Sequence, residues 1–301
     1  MFRKYTSIHF FVVIISTFFC THISTKNLPI VLLHGLLGDT YSMLPAQKHI
    51  EQYMPDVYIK NINLGEGKLT SLFNMYDQVN DLKEILQADE NLQDGCIFIA
   101  HSQGGLAARY FIQKYNNPHV YIYIAWGTPE CGIYGAPYNL DERFEWLNTI
   151  EYYSYTFAYS SLMQHFVSFA GYWKDPLHYQ EYLTGNIFLP YLNNEIPHQD
   201  SDLFKENISN LATMVLVQST EDEIVVPRIS SHFGFYDIGS LNETTSLENS
   251  PLYQQDLLGL RTLAESGRLH LLFAHCAHTE LQSDEYNFIN NTLPYLKYAI
   301  S

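Results

Sequence analysis

Ser102 stands in the segment Ala100-His101-Ser102-Gln103-Gly104, after the apolar run Cys96–Ala100 and before residues that read as a helix from Leu106 to Tyr115. A serine hydroxyl is a weak nucleophile at physiological pH. It attacks a carbonyl only when a histidine removes its proton and a carboxylate fixes that histidine's tautomer. A sharp strand-to-helix turn that pushes the hydroxyl into the open needs small residues two before and two after the serine. Gly104 meets the second requirement, and Ala100, in place of the usual glycine, adds only a methyl group to the first. The plainer alternative is a serine in an ordinary turn, where Ser and Gly are common.

The partners of such a serine follow it in the order acid, then histidine. Asp222 lies just beyond the apolar run Met214–Val217, and His278 just beyond Leu269–Ala274. Both positions fall at the carboxyl ends of expected strands, where sites form in open α/β sheets. Glu221, Glu223 and Asp237 compete with Asp222, and His275 and His270 with His278, because spacing alone does not separate them.

The oxyanion of a tetrahedral intermediate needs two backbone donors. Gln103, next to the nucleophile, supplies one. In His34-Gly35-Leu36 the glycine lets the chain turn so that the Leu36 amide supplies the other. His34 precedes the serine, the wrong order for a base, and is expected to be structural. A zinc reading of His275, Cys276 and His278 is weak, since no second cluster completes four ligands. This chemistry requires no metal or organic cofactor.

The elements that would position these residues alternate. Leu28–Leu33, Val57–Ile62, Cys96–Ala100, Val120–Ala125, Met214–Val217 and Leu269–Ala274 read as strands. Leu72, Met75, Tyr76, Val79, Leu82 and Leu86 recur at helical spacing. Further helices are expected around Gln255–Glu265 and Asn287–Tyr298. Strand and helix in alternation predict an α/β fold, a mostly parallel sheet with helices on both faces. Roughly eighty residues separate Thr128 from Met214, far beyond a normal connection, so a cap insertion is expected at about 130–210. It is rich in aromatics, among them Tyr152, Tyr153, Tyr155, Phe157, Tyr159, Phe166, Phe169, Tyr172 and Trp173.

The 301 residues suit one large domain with that insertion, and a net charge of −16 argues against nucleic acid and against an anionic membrane as general partners. Arg3 and Lys4 before the apolar stretch Phe10–Cys20 have the layout of a secretory signal within residues 1–25, too short to span a bilayer. No later segment is apolar for long enough, so no integral membrane segment is expected in the mature chain. Loss of the signal takes the charge to −18, which an acidic compartment would partly neutralise. Secretion or a lysosome follows as the expected location. Asn207, Asn242 and Asn290 each open a glycosylation sequon. Cys96, Cys131 and Cys276 remain after the signal, so at most one disulfide forms, with Cys131 and Cys276 as the candidate pair.

From about Leu28 to its end the chain resembles the palmitoyl-protein thioesterase family. The marks are His34-Gly35-Leu36, Ser102-Gln103-Gly104-Gly105, Tyr172-Trp173-Lys174-Asp175-Pro176, Asp222 through Pro227, Phe233-Gly234-Phe235-Tyr236, and His278. The resemblance implies the α/β-hydrolase fold, with Ser102 as nucleophile, Asp222 as acid and His278 as base. It also implies lysosomal or extracellular cleavage of fatty acyl thioesters, carried on proteins, peptides or coenzyme A, to a free fatty acid. An oxygen-ester lipase on the same fold, or a silent lipid-binding relative, are the competing readings.

Overall fold

The computed structural model describes residues 27–66, 70–135 and 155–298; the expected signal lies outside them. In chain order the first half runs β1 (Ile30–Leu33), α1 (Leu44–Tyr53), β2 (Ile59–Ile62), α2 (Met75–Gln87), β3 (Cys96–His101), α3 (Gln103–Lys114) and β4 (Val120–Trp126). An insertion follows, whose described helices include α4 (Ser161–Phe166), α5 (Tyr179–Gly185) and α6 (Ser201–Ser209). The chain then forms β5 (Thr213–Ser219), the short strands β6 (Phe235–Tyr236) and β7 (Thr244–Thr245), α7 (Leu260–Glu265), β8 (Leu269–Ala274) and α8 (Leu293–Tyr298). Six strands make one parallel sheet in the order β2-β1-β3-β4-β5-β8, and β6 pairs antiparallel with β7. This is the α/β-hydrolase fold.

The central strands carry nearly continuous apolar runs, IVLL in β1 and CIFIA in β3, because both faces are covered. Val31, Leu33, Phe98, Ala100, Tyr123 and Leu216 face a core closed by α2 and α3. Ile30, Leu32, Ile97, Ile99, Ile124 and Val217 face a second core, closed by α1 and the C-terminal helices through Ile50, Phe288 and Leu296. Helix α2 is amphipathic in the expected way, burying Met75, Val79, Leu82 and Leu86, and the Asn74 side chain caps it by accepting from the Tyr76 amide at 2.7 Å. Each fully buried leucine or valine there contributes roughly 1.5–3 kcal/mol.

The strand order reverses between β1 and β3, so the loops that leave their carboxyl ends part and open a crevice. The expected helix Gln255–Glu265 is interrupted. Asp256 and Gly259 are left-handed, and only Leu260–Glu265 is helical, with Asp256 Oδ1 accepting from the Arg261 amide at 3.0 Å. The expected last helix holds a π-turn, Phe288–Thr292, before α8. Pro294 lacks an amide and its ring clashes with the carbonyl four residues earlier, which favours the wider turn.

Cys96, Cys131 and Cys276, the cysteines among the described residues, are buried free thiols, so Cys131 and Cys276 do not pair. Cys131 Sγ instead donates to the Phe233 carbonyl at 3.2 Å. Of the sequon asparagines, Asn242 and Asn290 are exposed, while Asn207 is half-buried and donates to the Gln113 carbonyl at 2.9 Å.

Candidate functional site

Ser102 links β3 to α3 with φ 54° and ψ −129°, the positive φ that a nucleophile elbow requires. Such a conformation is strained for a residue with a Cβ, and the surroundings must hold it there. They do so by close approach. A Cβ at Gly104 would sit 2.3 Å from the His34 carbonyl oxygen, and one at Gly35 would sit 2.7 Å from Ser102 Cβ. Ala100, by contrast, lies fully buried within β3, where its methyl packs in the core. The Ser102 hydroxyl enters none of the described hydrogen bonds and faces a cavity of about 220 Å³.

His278 and His101 line that cavity together with Ser102. His278 Nδ1 lies 2.7 Å from Asp222 Oδ2, and both residues are buried. Asp222 is itself fixed, since its Oδ1 accepts the Ile224 and Val225 amides, each at 2.8 Å, and its carbonyl accepts from the Arg228 guanidinium. With Nδ1 donating to the carboxylate, Nε2 of His278 is left as the basic nitrogen.

The competing residues go elsewhere. Glu221 and Glu223 are exposed, Asp237 accepts from the Thr245 hydroxyl, His270 packs against the Tyr295 ring, and His275 pairs with Thr220. Among the described residues no group of three His, Cys, Asp or Glu is placed to hold a metal ion.

His34 is a loop fastener. Its Nε2 accepts the Leu64 amide at 2.9 Å, so its Nδ1 donates to the Gly35 carbonyl at 2.8 Å, and burial lowers its pKa and keeps it neutral. Leu36 and Leu37 line the cavity, and the described hydrogen bonds engage neither the Leu36 nor the Gln103 amide. Both donors therefore remain available to an oxyanion.

Several contributors carry no sequence signal. His101, the residue before the serine, sends Nε2–H to the His278 carbonyl at 3.0 Å, and their ring centroids lie 4.8 Å apart. Burial, with His278 beside it, pushes the His101 pKa down to about 3. Ser71 is a second one. Its hydroxyl accepts the Leu37 amide at 2.7 Å, and its carbonyl accepts Gln103 Nε2 at 2.8 Å and the Ser168 hydroxyl at 2.9 Å. Tyr172 completes this network by donating to Gln103 Oε1 at 3.0 Å. Ser71 lies in a single 3-10 turn, Thr70–Leu72, too short for periodicity to mark a residue for a role. From the aromatic insertion, Phe169 and Tyr172 reach the cavity, beside the apolar Leu36, Leu37, Ile133, Ile224 and Val225.

The family model for palmitoyl protein thioesterase matches residues 29–278. The chain is 39% identical over 273 residues to palmitoyl-protein thioesterase 3 of Dictyostelium discoideum, covering 89% of this chain and 92% of that one. It is 32% identical to palmitoyl-protein thioesterase 1 of Caenorhabditis elegans, with 86% and 88% covered. It is 30% identical to lysosomal thioesterase PPT2 of Rattus norvegicus, with 85% and 83% covered. Among solved structures, that of a candidate aryl esterase from Burkholderia cenocepacia superposes with a TM-score of 0.50 at 11% identity, covering 92% of each chain, a likeness of fold alone. The chain belongs to the palmitoyl protein thioesterase family and is a hydrolase of the α/β-hydrolase fold.

Proposed function

We propose that the chain hydrolyses long-chain fatty acyl thioesters through an acyl-Ser102 intermediate. One observation carries this reading: an elbow serine opens on the same cavity as a histidine that is held by a buried aspartate at 2.7 Å. Ser102 Oγ attacks the thioester carbonyl and gives its proton to Nε2 of His278. Asp222 stabilises the imidazolium, and the Leu36 and Gln103 amides hold the oxyanion. On collapse the thiol leaves with the proton from His278. Water, deprotonated by the same nitrogen, then attacks the acyl-serine, and on collapse His278 returns that proton to Ser102 Oγ as the fatty acid leaves.

The apolar lining suits an acyl chain, each buried methylene of which is worth about 0.8 kcal/mol. Acylated proteins or peptides and acyl-CoA are the proposed substrates. The lysosome, reached through the secretory route, is the proposed location, in keeping with the name of the rat relative. Hydrolysis rates across acyl-cysteine and acyl-CoA thioesters of graded length, beside matched glycerol esters, test the reading. We expect thioester turnover that rises with chain length and falls by roughly 10⁴-fold or more in Ser102→Ala. Full activity in Ser102→Ala, or faster turnover of the glycerol ester, would overturn it.

A further inference from the structure

Helix α4 buries Met163 on one face but presents a second apolar face to solvent. Gln164 is buried as well, its amide donating to the Ala158 and Ala170 carbonyls at 2.8 Å each, while Leu162 and Phe166 are 64% and 63% exposed. Those two residues are four apart and share one helix face. Phe73, 56% exposed, extends the same surface, because the neighbouring Asn74 donates to the His165 carbonyl at 3.0 Å and the Ser168 amide donates to the Leu72 carbonyl at 2.8 Å. The cavity lies immediately behind this seam. Phe169, three residues past Phe166, lines it, and Ser71, two residues before Phe73, holds the Leu37 amide at its wall.

Charge marks the same surface. The chain has 32 acidic residues and a net charge of −16, yet the described residues 70–76 and 155–174 contain neither Asp nor Glu. An apolar, acid-free rim on an otherwise acidic protein is the surface least repelled by a lipid headgroup layer. No cluster of lysine or arginine accompanies it in these two stretches, so attraction to anionic lipid is not built in, and the overall charge opposes it. Three side chains are also far fewer than the 20–30 residues a side of a stable protein interface, which disfavours a second copy of this chain as the occupant. The cavity itself, at about 220 Å³, is smaller than the ~300–1,000 Å³ sites that engulf a drug-sized ligand. A long acyl chain attached at Ser102 therefore continues past the cavity.

We propose that Phe73, Leu162 and Phe166 form a docking face that dips into a zwitterionic phospholipid surface, so that an acyl chain passes from lipid to Ser102 without crossing water. This rests on the acyl-thioesterase reading for its purpose, though not for its measurement. The test is flotation of the full chain with phosphatidylcholine vesicles, alone and with added phosphatidylserine. It is paired with two assays: a palmitoylated peptide embedded in those vesicles and a water-soluble short-chain acyl thioester.

The wild type is expected to float with phosphatidylcholine vesicles and less well once phosphatidylserine is added. Leu162→Asp combined with Phe166→Asp should weaken vesicle binding about a hundredfold and raise KM for the embedded peptide, with the soluble substrate turned over as before. Four results would overturn the proposal: no wild-type flotation, equal flotation of the double variant, equal loss on the soluble substrate, or sedimentation of a dimer that the substitutions dissolve. If flotation depends on the patch while no acyl thioester is hydrolysed, the docking face stands and the proposed reaction falls.

Discussion

Two buried carboxylates, Glu130 beside Arg109 of α3 and Asp222 beside His278, end in opposite states. Behind the helix, Arg109 Nε sits 2.7 Å from Glu130 Oε2, with both side chains fully buried. Arg109 Nη2 donates to Asn193 Oδ1 at 2.7 Å and to the Glu130 carbonyl at 3.0 Å, Tyr123 donates to Glu130 Oε1 at 2.9 Å, and the guanidinium lies 5.0 Å from the Phe233 ring. At the front, His278 uses one nitrogen on Asp222 and turns its ring to a cavity. The first pair is enclosed and its strong donors are engaged, so it acts as a strut that fixes the Thr128–Cys131 loop, with Pro129 in the cavity wall. The second keeps one nitrogen without a partner among the described residues, as the proposed proton transfer requires. A buried carboxylate pair serves as scaffold, or in the proposed reaction as catalyst, according to what its last polar atom faces.

The contrast breaks first at the front. Asp222→Asn should lower kcat by about 10⁴-fold, since the amide no longer selects the tautomer with a basic Nε2. The thermal midpoint should move far less than the rate, and a rate loss matched by unfolding would make Asp222 a strut as well. Behind the helix the reverse is expected. Glu130→Gln leaves Arg109 buried without its counter-charge and should cost about 3–5 kcal/mol of stability, read from urea unfolding. The fraction still folded should keep near-normal kcat. A large kcat loss in fully folded Glu130→Gln would erase the distinction drawn here.

His101 sharpens the comparison through pH. Its pKa falls from 6.5 unfolded to about 3 folded, so its contribution to stability is complete above pH 6.5 and is lost as pH falls toward 3. Across that window the unfolded chain binds one more proton than the folded one at this site, a slope of up to about 1.4 kcal/mol per pH unit. His101→Gln should flatten unfolding free energy against pH by about one proton there; an unchanged slope would show that His101 protonates in the folded protein.

The smallest effect is expected at Ser71. Ser71→Ala removes the acceptor of the Leu37 amide, worth about 0.5–1.5 kcal/mol, and should reduce kcat by roughly threefold to tenfold with little change in KM. A change confined to KM would assign Ser71 to substrate binding rather than to holding the oxyanion loop.

The sequence by itself determined the sheet and the serine that the proposed chemistry would use. Continuous apolar runs between helical periods leave few alternatives to a parallel sheet covered on both faces, and the elbow motif names Ser102 and calls for a later acid and a later histidine. It left Asp222 among four acids and His278 among three histidines, because spacing along the chain says nothing about which carboxylate points inward. Tertiary structure decided that. It buried Asp222 under two backbone amides while leaving Glu221 and Glu223 in solvent. It also recruited His101, Ser71 and Tyr172, whose partners lie 177, 34 and 69 residues away in sequence. Such contacts exist only once the strands have set the loops side by side, and no local pattern can encode them.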